Sequence, residues 1–311
     1  MSSQLDPQLA ALLQHAPPYP GARAIPLEDL RAYIRQTAAA APRYPARLTE
    51  VRDLQILGPD RGQLRLRSYR PEGEGAWPVT LFYHGGGFVM GDLDSQDMIC
   101  RALAEAARTI ILSVDYRLAP EHPYPAAADD AFAALRWASK NAGLLGGDPS
   151  RLAVAGDSAG AELAAVAALR AKRAGIALRA QVLFYGAGGY PFDKTPSFEA
   201  FKDGALLNTD DVAYFWELYL GDVEGRGREP DAAPRFADLA GVAPAYAVTA
   251  ELDPTRDHGE DYAERIRAAG GEAVTDRAPG MIHGFLSFLG AVDEARRTID
   301  RTAAWLKPRW A

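Results

Sequence analysis

Cysteine is nearly absent from this chain: Cys100 stands alone, which excludes an internal disulfide. Long apolar runs are missing too. No stretch approaches the roughly 18 consecutive apolar residues that a membrane helix requires, so a membrane span is not expected. The opening, MSSQLDPQLAALLQHAPPYP, has neither the basic n-region nor the long apolar h-region of a secretory leader, and the cytoplasm is the expected compartment. Positive charge is in deficit. With 34 Lys and Arg against 41 Asp and Glu, the net charge is −7; such a surface repels a polyanion, and nucleic acid is not an expected partner. Histidine is scarce, at five residues, which leaves few candidates wherever the chemistry calls for an imidazole. What is present is an ordinary globular composition, 48% hydrophobic and 24% charged, which disfavours disorder. A length of 311 residues suits one α/β core with a smaller appendage.

Residues 1–48 read as that appendage: short helices at about 6–14 and 27–40, broken by the proline-rich run 16–20 and by Pro42 and Pro45. Residues 49–311 read as the main domain. Strand-like segments at 54–57, 64–69 and 79–83 are followed by apolar runs at 109–114, 152–155, 182–185, 246–249 and 272–276, with helical stretches near 96–107, 126–142, 161–174, 257–269 and 291–306 between and after them. Such alternation specifies a mostly parallel sheet covered on both faces. Val292, Ala295, Ile299, Thr302 and Leu306 share one face of a 3.6-residue period and should pack on the sheet. Arg170, Lys172 and Arg173 followed by Gly175 mark a helix end with a left-handed cap. Between about 188 and 221 the alternation pauses for an aromatic stretch that includes Tyr190, Phe192, Phe198, Phe201, Tyr214, Phe215, Trp216 and Tyr219. It reads as an insertion that joins residues 1–48 in a helical cap.

Gly156-Asp157-Ser158-Ala159-Gly160 fits G-x-S-x-G, in which small neighbours let a serine sit on a strained strand-to-helix turn. Alone it is weak, since a chain with 29 glycines yields about 0.08 chance matches. Its position after the apolar run 152–155 and before an alanine-rich helix is the setting the motif requires; the rival reading is a serine N-cap with glycines serving only the turn. A serine hydroxyl needs a base. His15 lies in the appendage, His84 opens a glycine-rich loop, His122 sits between Glu121 and Pro123, and His258 lies inside a helix. His15, His122 and His258 read as solvated or structural. His283 lies in what reads as a short loop, 281–285, between the last strand and the last helix, where open α/β sheets place reactive groups. Asp253, just past the run 246–249 and kept from helical geometry by Pro254, is the best candidate to orient that imidazole. Asp257 fits better as an N-cap or first-turn acid, and Glu251 is a third candidate. The order Ser158, Asp253, His283 is that of the α/β-hydrolase fold.

His84-Gly85-Gly86-Gly87 follows the strand at 79–83 and offers amides without β-carbons; with the Ala159 amide they would supply an oxyanion hole, each donor worth about 3 kcal/mol by analogy with a side-chain donor in a protease. A phosphate loop is excluded because no Gly-Lys-Ser/Thr follows and Met90 stands where G-x-G-x-x-G needs glycine. A plain glycine-rich turn is the remaining rival.

Taken together, HGGGFVMGD (84–92), DYRLAPEHPYPA (115–126), GDSAGAELA (156–164), DPTRDHGEDYAERI (253–266) and HGF (283–285) resemble the hormone-sensitive-lipase-like family of bacterial esterases, from about residue 78 to the end of the chain. The resemblance implies an α/β-hydrolase fold with a helical cap, a triad at Ser158, Asp253 and His283, and an oxyanion hole at Gly86, Gly87 and Ala159. It implies no metal and no cofactor. Phe88, Asp157, Phe215 and Ile282 are candidate substrate-binding residues. Departures from the family pattern are Ala161, where glycine is common and the helix behind the elbow should pack slightly wider, and Thr255 and His258, where leucine and glutamate are frequent; neither of the last two is expected to touch a triad atom. The implied chemistry is hydrolysis of small-molecule carboxylic esters of short to medium acyl chain through an acyl-enzyme. Hydrolysis of an amide or aryl formamide would use the same triad, and a binding protein such as the plant gibberellin receptor, which lacks the triad histidine, is the non-enzymatic alternative. A homodimer through an edge strand is among the arrangements seen in relatives of this kind.

Overall fold

A computed structural model of the chain describes residues 4–15, 19–40, 44–186 and 193–311. Among these, eight strands form one sheet: β1 (Leu48–Leu57), β2 (Gln63–Pro71), β3 (Trp77–Tyr83), β4 (Ile110–Asp115), β5 (Gly147–Asp157), β6 (Ala180–Phe184), β7 (Ala245–Leu252) and β8 (Ala273–Ile282). The spatial order is β1-β2-β4-β3-β5-β6-β7-β8. β2 runs antiparallel to both β1 and β4, and every other pairing is parallel.

The central strands are apolar on both faces, as parallel strands covered by helices must be. The side chains of β3 divide by the two-residue period of a strand: Val79, Leu81 and Tyr83 enter one core with α4 (Ala126–Asn141), α5 (Ala159–Ala174) and α9 (Arg256–Ala268), whereas Phe82 enters the other with α3 (Asp97–Ala107) and α10 (Asp293–Leu306). β5 does the same with Leu152 and Val154 against Ala153 and Ala155. The expected stripe of α10, from Val292 to Leu306, is buried, and α5 ends on Gly175 in the left-handed conformation (φ 68°), as the sequence reading requires.

The remaining helices are α1 (Pro7–Leu13) and α2 (Leu27–Ala40) before the sheet, and α6 (Pro196–Ala200), α7 (Thr209–Leu220) and α8 (Val223–Arg226) between β6 and β7. Asp6 caps α1 by accepting from the Gln8 and Leu9 amides, and Asn208 with Asp211 forms a capping box on α7. Pro17, Pro18, Pro42, Tyr190 and Phe192 lie outside the described residues. No described helix is long and apolar enough to cross a membrane.

Several strands run longer than expected, among them β1 from Leu48 and β5 from Gly147, and at β8 the difference bears on the site. β8 continues to Ile282, so Met281 and Ile282 belong to the strand and not to a loop. The cause is a bulge: Ala250 pairs with Ala278, and the next pair is Leu252 with Ile282, so Pro279 and Gly280 (φ 67°) are extra residues that break the periodicity a sequence reading depends on. The Glu251 carboxylate accepts the Gly280 amide at 2.8 Å and holds the bulge.

A Cβ on Gly160 would lie 1.9 Å from the Tyr83 carbonyl oxygen, so α5 approaches β3 more closely than any side chain permits. Gly143 has nothing within 4 Å of the same position. Gly160→Ala should therefore lower the unfolding free energy by about 1–3 kcal/mol, and Gly143→Ala should leave it unchanged or raise it slightly; denaturant melts of the two variants against the parent check the contrast.

Candidate active site

Four residues that carry chemistry occupy one kind of position. His84, Ser158, Asp253 and His283 are each the first residue beyond a strand, following Tyr83, Asp157, Leu252 and Ile282. Parallel strands end on the same side of a sheet, so these ends meet at one rim. The pairing of Leu252 with Ile282, created by the β8 bulge, sets Asp253 beside His283. His283 Nδ1 is 2.8 Å from Asp253 Oδ2, and Nε2 is 2.8 Å from Ser158 Oγ. A carboxylate oxygen accepts, so Nδ1 carries the proton of the neutral ring and Nε2 accepts from the serine hydroxyl. Asp253 is fully buried.

Ser158 has φ 53° and ψ −122°, a region that side chains avoid. The turn exists because its neighbours lack side chains: a Cβ on Gly156 would be 2.1 Å from the Gly160 oxygen, and one on Gly186 would be 2.3 Å from the Ser158 oxygen. The Ser158 amide donates to the Phe184 carbonyl. Ala159 is the first residue of α5, so its N–H has no intrahelical acceptor and points out of the helix start.

The glycine loop is fastened from below. His84 is buried, stacks on Tyr116 with ring centroids 4.1 Å apart, and donates from Nδ1 to the Gly85 carbonyl. Burial pushes its pKa down to about 4, so it is a neutral structural ring. Asp157 Oδ1 accepts the Gly85 amide at 2.8 Å, and its other oxygen lies 3.3 Å from Gln96 Nε2 and 3.5 Å from the Tyr185 hydroxyl. Burial drives the Asp157 carboxyl up to about 7, against the lowering effects of the Gly85 amide and of His283. Gly86 and Gly87 take positive φ (117° and 60°), and among the described residues their amides form no hydrogen bond. From above, Phe215 sits where a Gly87 Cβ would be, 2.5 Å from it.

The serine opens into a cavity of about 230 Å³ walled by Tyr19, Ile34, Phe88, Met90, Leu206, Leu207, Val212, Phe215 and Trp216. Phe88 is stacked on Tyr219 at 3.9 Å and meets Trp216 edge-on. Residues 19–40 are tied over this wall. Arg31 donates to the Val89 and Ala119 carbonyls and to both oxygens of Glu121, and Arg23 pairs with Asp210 and Glu217 of α7.

Of the sequence candidates, Ser158, Asp253, His283, Gly86, Gly87, Ala159, Phe88, Asp157 and Phe215 meet around the cavity, Asp253 one shell behind it through His283. Ile282 does not. The last residue of β8 packs its side chain into the second core, with Met281 and Phe285, and so stays off the cavity wall. Asp257 is a first-turn acid of α9 that accepts the Ser197 amide. His15 and His122 are exposed; His258, paired with the Asp193 carbonyl, is buried but also reaches the cavity wall. Tyr185, which packs edge-on to His283 at 5.3 Å, and Gly186 carried no sequence signal. Thr255 corrects the expectation that it touches no triad atom: its amide and hydroxyl both donate to Asp253 Oδ1, at 2.7 and 2.9 Å. Its two-residue spacing from an aspartate followed by proline was the available signal, an Asx turn.

Residues 80–287 match the alpha/beta hydrolase fold family. A carboxylesterase of Mycobacterium tuberculosis, NlhH, is 45% identical over 74% of this chain and 73% of its own length, and the esterase LipI of the same organism is 39% identical over 96% of this chain and 92% of its own. Among solved structures, an esterase of Pyrobaculum calidifontis superposes with a TM-score of 0.90 at 37% identity, covering 98% of both chains. A thermostable esterase of Pseudomonas putida does so with a TM-score of 0.92 at 32% identity, over 100% of this chain and 99% of its own. Strand order, the serine turn and these likenesses agree, and the chain belongs to the alpha/beta hydrolase fold family.

Proposed function

We propose that this chain is a serine carboxylesterase of the hormone-sensitive-lipase-like group, acting on small esters of short to medium acyl chain. The observation that carries the reading is the unbroken relay from Ser158 through His283 to Asp253, with both links at 2.8 Å, opening on an apolar cavity. Relatives named as carboxylesterases and esterases support it.

In the proposed mechanism His283 Nε2 takes the Ser158 proton as Oγ attacks the ester carbonyl. The amides of Gly86, Gly87 and Ala159 receive the oxyanion. Imidazolium, stabilised by Asp253, returns the proton to the leaving alcohol. Water, deprotonated by the same imidazole, then hydrolyses the acyl-enzyme. Asp157 acts beneath this machinery by holding Gly85. In the same proposal residues 1–48 and the insertion at about 188–221 form a helical cap on the domain 49–311; the wall contributed by Tyr19, Ile34, Leu206 and Phe215 supports it. In this reading the protein works in the cytoplasm, and a homodimer, where formed, pairs through an edge strand, the sheet's edges among the described residues being β1 and β8.

Ser158→Ala should keep the fold and lose at least about 10⁴-fold in kcat on p-nitrophenyl butyrate; substantial remaining turnover would reject the nucleophile. With purified protein, kcat/KM along a p-nitrophenyl series from acetate to palmitate should peak at short to medium chains and collapse at palmitate, and an optimum at palmitate would reject the substrate class. The Asp157 carboxyl sets a pH dependence of stability. Its folded pKa, about 7, exceeds its ordinary 3.8, so between these values the folded protein holds a proton that the unfolded chain has lost, and stability falls as pH rises through the window. Asp157→Asn lacks this loss. Its unfolding free energy relative to the parent should rise by on the order of a few kcal/mol between pH 4 and 8, and a difference that stays flat with pH would contradict the assignment.

A further inference from the structure

We infer that Thr255 is a positioning residue of the Ser158, His283, Asp253 relay, its hydroxyl locking the carboxylate that aims the imidazole. The inference rests on the function proposed above and deepens it.

Thr255 is the N-cap of α9, two residues past Asp253. Its hydroxyl oxygen has three neighbours: Asp253 Oδ1 at 2.9 Å, the Tyr185 carbonyl at 3.4 Å and His283 Nδ1 at 3.4 Å. The hydroxyl has one proton to give. The carboxylate oxygen is the nearest acceptor and the only charged one, so the proton goes there. Oδ1 thus receives two donors from one residue, the amide at 2.7 Å and the hydroxyl, while Oδ2 is left to His283 Nδ1. Both bonds act on the same oxygen from different directions, so the carboxylate plane is set by Thr255 and Oδ2 faces the ring.

The amide bond to Oδ1 is available to any residue at this place. The hydroxyl bond is not. Leucine, frequent here in the family this chain resembles, could not make it, so this chain carries a second lock on a fully buried carboxylate. Losing that lock loosens the imidazole in the step where it accepts the serine proton, and so acts on turnover more than on binding.

Thr255→Val keeps the shape and removes the hydroxyl; Thr255→Ser keeps the hydroxyl and removes the methyl. With p-nitrophenyl butyrate, the valine variant should lose about tenfold in kcat with KM within about twofold, and Ser158 should react with a fluorophosphonate slower by a similar factor. The serine variant should recover most of both rates. An unchanged kcat and labelling rate in Thr255→Val, or a loss in Thr255→Ser as large as in Thr255→Val, overturns the inference. Ser158→Ala run beside them separates the two levels: activity there sinks the serine mechanism itself, whereas an inactive Ser158→Ala beside an unimpaired Thr255→Val removes only the role given to Thr255.

Discussion

Ser158 is held in a backbone conformation that a side chain avoids, and the geometry of the site depends on that constraint. Positive φ at a non-glycine residue costs on the order of 1–3 kcal/mol and persists only where its surroundings leave no alternative. Here they do so through close approach. Gly156 nearly touches the carbonyl of Gly160, Gly160 that of Tyr83, and Gly186 that of Ser158 itself. These contacts join the ends of β3, β5 and β6 and the start of α5 into one tight unit. The hydroxyl is thereby lifted off the sheet rim, the Ala159 amide comes beside it, and the glycine loop after β3 is brought under the same carbonyl.

The site has a dry, bonded underside and an apolar roof. Below the glycine loop, His84 and Asp157 are removed from water and shifted toward neutrality, so they act as hydrogen-bonding struts. The roof consists of aromatic rings of α7 laid on the loop, with α2 bolted to it by the Arg31 fork. The bolt ends on backbone carbonyls next to Phe88, so the segment before the sheet bears on the same loop that α7 covers. This is why a chain segment remote in sequence contributes to the cavity.

Much of the fold was legible in the sequence because two periodicities and a few turn signals carry it. All eight strand segments, the apolar stripe of α10 and the glycine stop of α5 could be read without coordinates. What escaped was whatever breaks a period. The Pro279 and Gly280 bulge concealed the last residues of β8, which misplaced Met281 and Ile282 and put Ile282 in a pocket it does not reach. Tyr185 and Gly186 were invisible because nothing local distinguishes the end of β6 from any other strand end. Thr255 was noticed as a departure, yet its contact with Asp253 was missed, since a side chain's reach back to its own turn depends on the rotamers of both residues.

The sequence by itself determined which residues could do the chemistry: a serine between small neighbours, an aspartate just past a strand, a histidine between the last strand and the last helix, and a run of glycines without β-carbons. Those are local facts, encoded in residue type and spacing. Tertiary structure decided which of them meet. Bringing Asp253 beside His283 required a two-residue bulge on the neighbouring strand, and assigning Oδ1 to Thr255 and Oδ2 to the imidazole required the packing of α9 against the sheet. Distances of this kind are sums over long-range contacts, and no window of sequence contains them.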